Sequence, residues 1–487
     1  MAFPQTELSR VGSSTIPNLG DASELSLSAE RRLGNRIAKE LYRDPDYLDD
    51  AVVGDYLDGI WQPLLAAARL RGELPQELDS AYAWRILLGR DRTVNAFALP
   101  GAYLGLHLGL VGTVSSRDEL AAVLAHELSH VTQRHIARII SRQNAQAPWL
   151  LGAMILGAMA ASKNPGAANA VIVGGQAVAA QTQLNFSRDM EREADRVGFG
   201  IAGQAGFAPQ GFVSMFEKLQ QSSRLNDAGG FPYLRSHPLS SDRMADMQAR
   251  IPVHASPAPT PSAESALMAA RARVLSNPAV DALQAWLAQA KPAALDKLPL
   301  AQQPLALYAA AMSAARLRNF DAVPELLERL QALVRGDAAA LRQLQYLRAE
   351  TALARGHAAE ALVALGPVTA PQRRSDVLLR AQAQIPLGQS RAAAQSLQTW
   401  TADHRDDALA WQWLARALAD QGRTVASVRA EAEANVAQLD YDAALARFKA
   451  AQELARNAPE TDHVEASIVD TRRREIEQLL REQALER

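Results

Sequence analysis

Apolar residues recur at helical spacing from Leu27 onward. The stretch "SAERRLGNRIAKELYR" predicts a first helix, with Ser28 as a weak cap three residues before Arg31. A second helix is predicted over "PDYLDDAVVGDYLDGIWQPLLAAARL", where Leu48, Val52, Tyr56 and Ile60 share one side. The next stretch, "AWRILLGRDRTVNAFALPGAYLGLHLGLV", loses that period. Gly, Pro and Asn punctuate short apolar runs there, which predicts strands near 83–88, 96–99 and 103–106. A long helix from about 116 to 142 follows, with Asp118 and Glu119 in its first turn, where the helix dipole favours them.

Residues 148–161, "PWLLGAMILGAMAA", form the most apolar segment, and "AANAVIVGGQAVAA" follows. Each is about 14 residues, against the roughly 20 that cross a bilayer. Over 148–180 the pattern is therefore read as a buried helical hairpin, or as a surface touching lipid or an apolar substrate. "IPVHASPAPTPSAES", 251–265, is the clearest linker. Beyond it everything reads as helix, and similar turns recur at Asn319, Gly356, Gly388 and Gly422, in steps of 37, 32 and 34 residues. Those steps bracket the 34-residue tetratricopeptide period, which predicts a solenoid with a concave, partner-binding face. "LDYDAALARF" at 439 breaks the period, as an irregular or capping repeat would.

Composition narrows this picture without changing it. Hydrophobic residues make up 48% and aromatics 5%, which favours close-packed helices over a β-sandwich. A net charge of −2 gives no reason to propose a nucleic-acid partner. No cysteine is present, so any metal must be held by His, Asp or Glu. Residues 1–25 read as a polar, mobile tail without a basic and then apolar leader. A cytosolic protein, or one whose leader has been removed, would both look this way.

The chemistry concentrates in "AAVLAHELSHVTQRH", 121–135. Chance alone places His-Glu-x-x-His in about one chain in a hundred of this composition. On a helix, His126 and His130 are four residues apart and share a face, so both can reach one ion. Glu127 is turned about 100° away, able to address a water rather than the metal. Downstream, "NFSRDMEREADRVG" carries Glu191 and Asp195, again four apart. Glu191 is the candidate third ligand, and Asp195 the acceptor that would hold a ligand imidazole in place. His135 is expected at the surface, and His107 has no assigned role.

Four motifs in order, "NAFALPG", "ELAAVLAHELSHVTQRH", "SRDMEREADRVG" and "SHPLSSDRM", resemble the signature of the gluzincin peptidases related to the CAAX-prenyl protease and the heat-shock membrane protease. Those relatives carry transmembrane helices. The fusion to repeats is instead similar to soluble periplasmic members of the family that act in outer-membrane quality control. The resemblance implies a mainly α fold: a zincin-type α+β metalloprotease domain with a small sheet over 26–250, then the repeat domain over 266–487. It implies one Zn2+ per chain on His126, His130 and Glu191, with Glu127 as general base. His237 and Arg243 match the family's "HP…R" segment. There the His either stabilises the oxyanion or occupies the metal's open position and holds the enzyme inactive, and Arg243 is the other candidate to meet the oxyanion. Asn95, Ala96, Phe97 and Ala98 are expected on an edge strand that pairs with extended substrate. The implied partners are unfolded or misassembled polypeptides and the outer-membrane β-barrel assembly machinery, with peripheral membrane contact open. A chaperone or scaffold with a silent site, or a zinc hydrolase acting on another amide or ester, are the alternatives.

Overall fold

The computed structural model describes residues 25–142, 186–225, 232–251, 262–368, 372–457 and 462–485. The expected tail, most of the linker and the apolar 148–180 segment lie outside the described residues.

Helix α1 (Leu27–Arg43) is capped by Ser26, whose hydroxyl accepts the Ala29 N–H at 3.2 Å; Ser28 is not the cap. Leu33, Ile37 and Leu41 form its buried stripe. Strand β1 (Tyr47–Leu48) precedes α2 (Ala51–Leu70). Leu48 is therefore in a strand and not in the second helix. The reason is Asp50, which starts α2 by accepting the Val53 N–H and leaves Leu48 extended beside Leu88. After the short α3 (Gln76–Ala81) come β2 (Arg85–Gly89), β3 (Ala96–Leu99) and β4 (Tyr103–His107), each within two residues of its predicted place. The sheet order is β1-β2-β4-β3, with β2 parallel and β3 antiparallel to β4. β3 is thus an edge strand. Phe97 lies across from Gly105 and covers it, leaving no room for a side chain there.

Helix α4 (Leu108–Thr113) leads into α5 (Arg117–Thr132), capped by Ser116 on the Glu119 N–H. α5 is not amphipathic: every residue from Glu119 to Thr132 is buried. Nor does it run to 142. The chain turns at Gln133 and Arg134, where Arg134 adopts φ 52°, and restarts as α6 (His135–Arg142). That left-handed residue costs on the order of 1 kcal/mol. Glu30, 3.4 Å from the Arg134 guanidinium, and the Leu25 carbonyl hold it. Helix α7 (Arg188–Gln204) packs closely on α5 because position 198 is glycine. A Cβ there would sit 2.9 Å from the Ala125 carbonyl oxygen. α8 (Gln210–Leu225), α9 (Pro232–Ser236) and α10 (Ser241–Arg250) complete this region.

Helix α11 (Ala263–Ser276) begins inside the expected linker, because Ser262 caps it on the Ser265 N–H. Beyond it the described residues are helical. Turns with positive φ fall at Gly356, Gly388 and Gly422, as the repeat alignment expects, but at Arg318 and not Asn319. Leu439 adds a further such turn only 17 residues after Gly422, which accounts for the broken period there. No helix among the described residues is long and apolar enough to cross a membrane.

One buried apolar cluster runs from Val52 in α2 through α11 to Ala383, so the repeats do not hang on a tether. Charge closes the same seam. Buried Arg271 pairs with Asp50 at 2.7 Å and Glu350 at 2.6 Å, and Arg374 with Asp49 at 2.6 Å and Asp407 at 2.7 Å. Removing one member of a buried pair strands the other. Arg271→Ala is therefore expected to destabilise the protein by about 3–5 kcal/mol, read as a fall in the midpoint of chemical denaturation.

Candidate metal centre

Three helices and one turn converge on a buried cluster. α5 supplies His126, Glu127 and His130, α7 supplies Glu191 and Asp195, and the turn between α9 and α10 supplies His237, with Arg243 from α10. None of the seven is more than 5% exposed. The tight α5–α7 contact at Gly198 sets the distance across which Glu191 and Asp195 face the histidines.

The four candidate ligands His126, His130, Glu191 and His237 each offer an atom within 4.8 Å of all the others. His126 Nε2 lies 3.0 Å from His130 Nε2 and 3.3 Å from His237 Nδ1. Glu191 Oε1 lies 2.9 Å from His237 Nδ1 and 3.5 Å from His130 Nε2, and its Oε2 lies 3.5 Å from His126 Nε2. Ligand bonds of about 2.0 Å in a tetrahedron separate the ligand atoms by about 3.3 Å, so the donor set fits a zinc ion in both chemistry and size. Charge agrees. Three buried carboxylates, Glu127, Glu191 and Asp195, share the site with one fixed cation, Arg243. Burial opposes a charge on His126, yet Asp195 and Glu191 outweigh it and raise its pKa to about 10, so that a proton stands in for a cation. Burial and then the charge of His126 push His130 well below the usual histidine range. Glu191 is held well below the carboxylate range despite its burial, chiefly by His237 and His126.

The surrounding groups orient the ligands. Asp195 Oδ1 lies 2.9 Å from His126 Nδ1. Arg243 grips Asp195 through Nε at 2.6 Å and Nη2 at 2.8 Å. Its Nη1 lies 2.8 Å from Glu191 Oε2 and donates to the Pro238 carbonyl. Those donors are engaged with Asp195, Glu191 and the Pro238 carbonyl. The Ala98 N–H donates to Glu127 Oε2 at 3.0 Å, so the edge strand touches the site through the candidate base. Phe97 packs against Gly105 and His107, and the Asn95 carbonyl accepts the His107 N–H; Ala96 is buried.

His135 is the clearest departure. It is fully buried, not at the surface, with Nδ1 2.9 Å from His130 Nδ1 and Nε2 3.1 Å from Glu193 Oε2. On an unbroken helix, residues 130 and 135 would face about 140° apart. The turn at Arg134 brings them together, and nothing in the local pattern announces it. His107 is buried and bonded to Thr93 Oγ1 at 2.8 Å. Aromatic rings close the pocket: Tyr233 stacks on His237 at 4.7 Å and Phe186 on His130 at 3.8 Å.

The profile of peptidase family M48 matches residues 71–251, which contain every residue of this cluster. The chain is 29% identical over 435 residues to the β-barrel assembly-enhancing protease of Escherichia coli strain K12, covering 86% of this chain and 83% of that protein. It is 31% identical to a Vibrio cholerae protein given the same name provisionally, over 65% of this chain and 63% of that protein's length. The mitochondrial metalloendopeptidase OMA1 of Saccharomyces cerevisiae is 28% identical over 40% of this chain and 55% of its own. Residues 71–251 therefore match peptidase family M48 and hold a group of four side chains that fits one zinc ion.

Proposed function

We propose that this protein is a zinc endopeptidase of the bacterial periplasm that degrades unfolded or stalled outer-membrane proteins and assists their assembly. The observation that carries the reading is the closure of His126, His130, Glu191 and His237 on one metal-sized point beside Glu127. The names of the Escherichia coli and Vibrio cholerae relatives supply the setting.

His126, His130 and Glu191 would hold the zinc ion, which would lower the pKa of a water and polarise a peptide carbonyl. Glu127 takes the proton and returns it to the leaving amine. Its Oε2 is tied to the Ala98 N–H, while Oε1 has no hydrogen-bond partner and faces His237 Nε2 at 3.5 Å. Arg243 and Asp195 keep His126 and Glu191 in place. The edge strand β3 offers an extended substrate backbone pairing, which suits chains selected for being unfolded rather than for sequence. With zinc bound, His237 would be the fourth ligand at rest and would have to leave before substrate enters, because a catalytic zinc needs an open position. The helical repeats, read as tetratricopeptide-like, hold substrate or the β-barrel assembly machinery.

The test is digestion of an outer-membrane β-barrel protein presented unfolded and presented folded in detergent. The unfolded form is expected to be cut at least ten times faster, with cutting abolished by a chelator. Equal rates on both forms would remove the quality-control reading.

A further inference from the structure

The metal-site reading uses His126, His130, Glu191 and His237, with Asp195 behind His126. It leaves His135 and Glu193 without a task, although one is fully buried and both lie in line with His130. Two of the four ligands are imidazoles from one helix, and each presents its Nε2 to the metal point. Each must then carry its ring proton on Nδ1, and a buried Nδ1–H needs an acceptor. For His126 the carboxylate nearest to Nδ1 is Asp195, with Oδ1 at 2.9 Å. For His130 the nearest candidate is another imidazole, His135 Nδ1 at 2.9 Å, which accepts only in one tautomer.

Glu193 selects that tautomer. Its Oε2 lies 3.1 Å from His135 Nε2, and a carboxylate accepts but does not donate. The His135 proton therefore sits on Nε2, and the Nδ1 lone pair is left facing His130. The opposite tautomer would set a lone pair on Nε2 against the carboxylate and a second N–H against His130. Arg138 Nη1 donates to the same Glu193 oxygen at 3.0 Å and holds it in place. The direction of donation is uniform: His130 to His135 to Glu193. We propose that His135 and Glu193 are positioning residues for the metal, fixing His130 in the tautomer and ring orientation that turn its Nε2 lone pair to zinc. The turn at Arg134 exists in this account to bring His135 behind His130.

The inference rests on His130 being a zinc ligand, and the test keeps the two apart. The dissociation constant for zinc is measured on the full chain by competition with a chromogenic chelator. The visible absorption of the Co2+-loaded protein reports ligand geometry. His135→Phe keeps a ring of similar size but removes the acceptor, and Glu193→Leu removes the group that sets the tautomer. Both are expected to weaken zinc binding about 10–100-fold and to shift the Co2+ spectrum. Glu193→Gln keeps an acceptor oxygen and is expected to bind zinc within a few-fold of wild type; a merely space-filling role predicts that Glu193→Leu does the same, so the contrast between the two variants carries the test. Glu193 is partly exposed, so its variants carry the test if His135→Phe does not fold. Wild-type affinity and an unchanged Co2+ spectrum in Glu193→Leu, or in folded His135→Phe, would overturn the inference. His126→Ala serves as the control. If it too retained zinc, the metal centre itself would be wrong, which is a different failure.

Discussion

Glu127→Gln is expected to retain one zinc per chain and to lose peptide cleavage by about 10²–10⁴ in kcat, the range for losing a general base. Gln preserves the volume of the buried side chain and can still accept the Ala98 N–H, so the helix and the edge strand should keep their places. It cannot take a proton at the position of Oε1, which faces the ligand cluster without a hydrogen-bond partner. Because Glu127 is not in the ligand set, metal content is a clean control. The comparison is made both in the wild-type background and with His237→Ala, where the site is expected to be open. Full cleavage by Glu127→Gln in the open background would remove Glu127 from the chemistry.

His237→Ala is expected to raise cleavage of an unfolded protein about 10–100-fold at saturating zinc. The size follows from population arithmetic: if the open form is about 1–10% of molecules at rest, removing the blocking ligand recovers the remainder. The structure explains why the closed form would dominate. His237 Nδ1 lies 2.9 Å from Glu191 and 3.3 Å from His126, while Tyr233 and Phe186 stack on its ring. Leaving would cost those contacts, so an external event, such as a partner on the repeats, is the expected trigger. Unchanged activity would sink the latch and favour a scaffold with a silent site. A fall would assign His237 to the oxyanion instead.

What could be read along the chain was what local periodicity and motif spacing encode. The three sheet strands at 85–89, 96–99 and 103–107, the α5 cap and the facing pair His126 and His130 each depend on residues within a few positions of one another. The same holds for the repeat turns at Gly356, Gly388 and Gly422, where glycine relieves a positive φ. Glu191 and Asp195 were legible because their spacing repeats that of the histidines they face. The family signature then joined segments that periodicity alone could not.

The misreadings share one cause, which is that burial and long-range contact override local pattern. α5 carries charged and polar groups along its length, but α7, α8 and the sheet pack around it and bury every one from Glu119 to Thr132. Arg243 looked free to meet substrate until Asp195 and Glu191, 48 and 52 positions away, occupied its donors. Arg134 is an ordinary residue in sequence, yet Glu30, more than a hundred positions away, holds it where the helix must break. The order of residues thus determined which helices and strands form and which side chains can ligate a metal, since those depend on dihedral preference and short-range spacing. Only the tertiary structure decided that His135 stands behind His130, that His237 packs against Glu191 and His126, and that the repeats share a core with the helices before them. Each of those is a meeting of segments far apart in the chain, set by packing rather than by neighbouring residues.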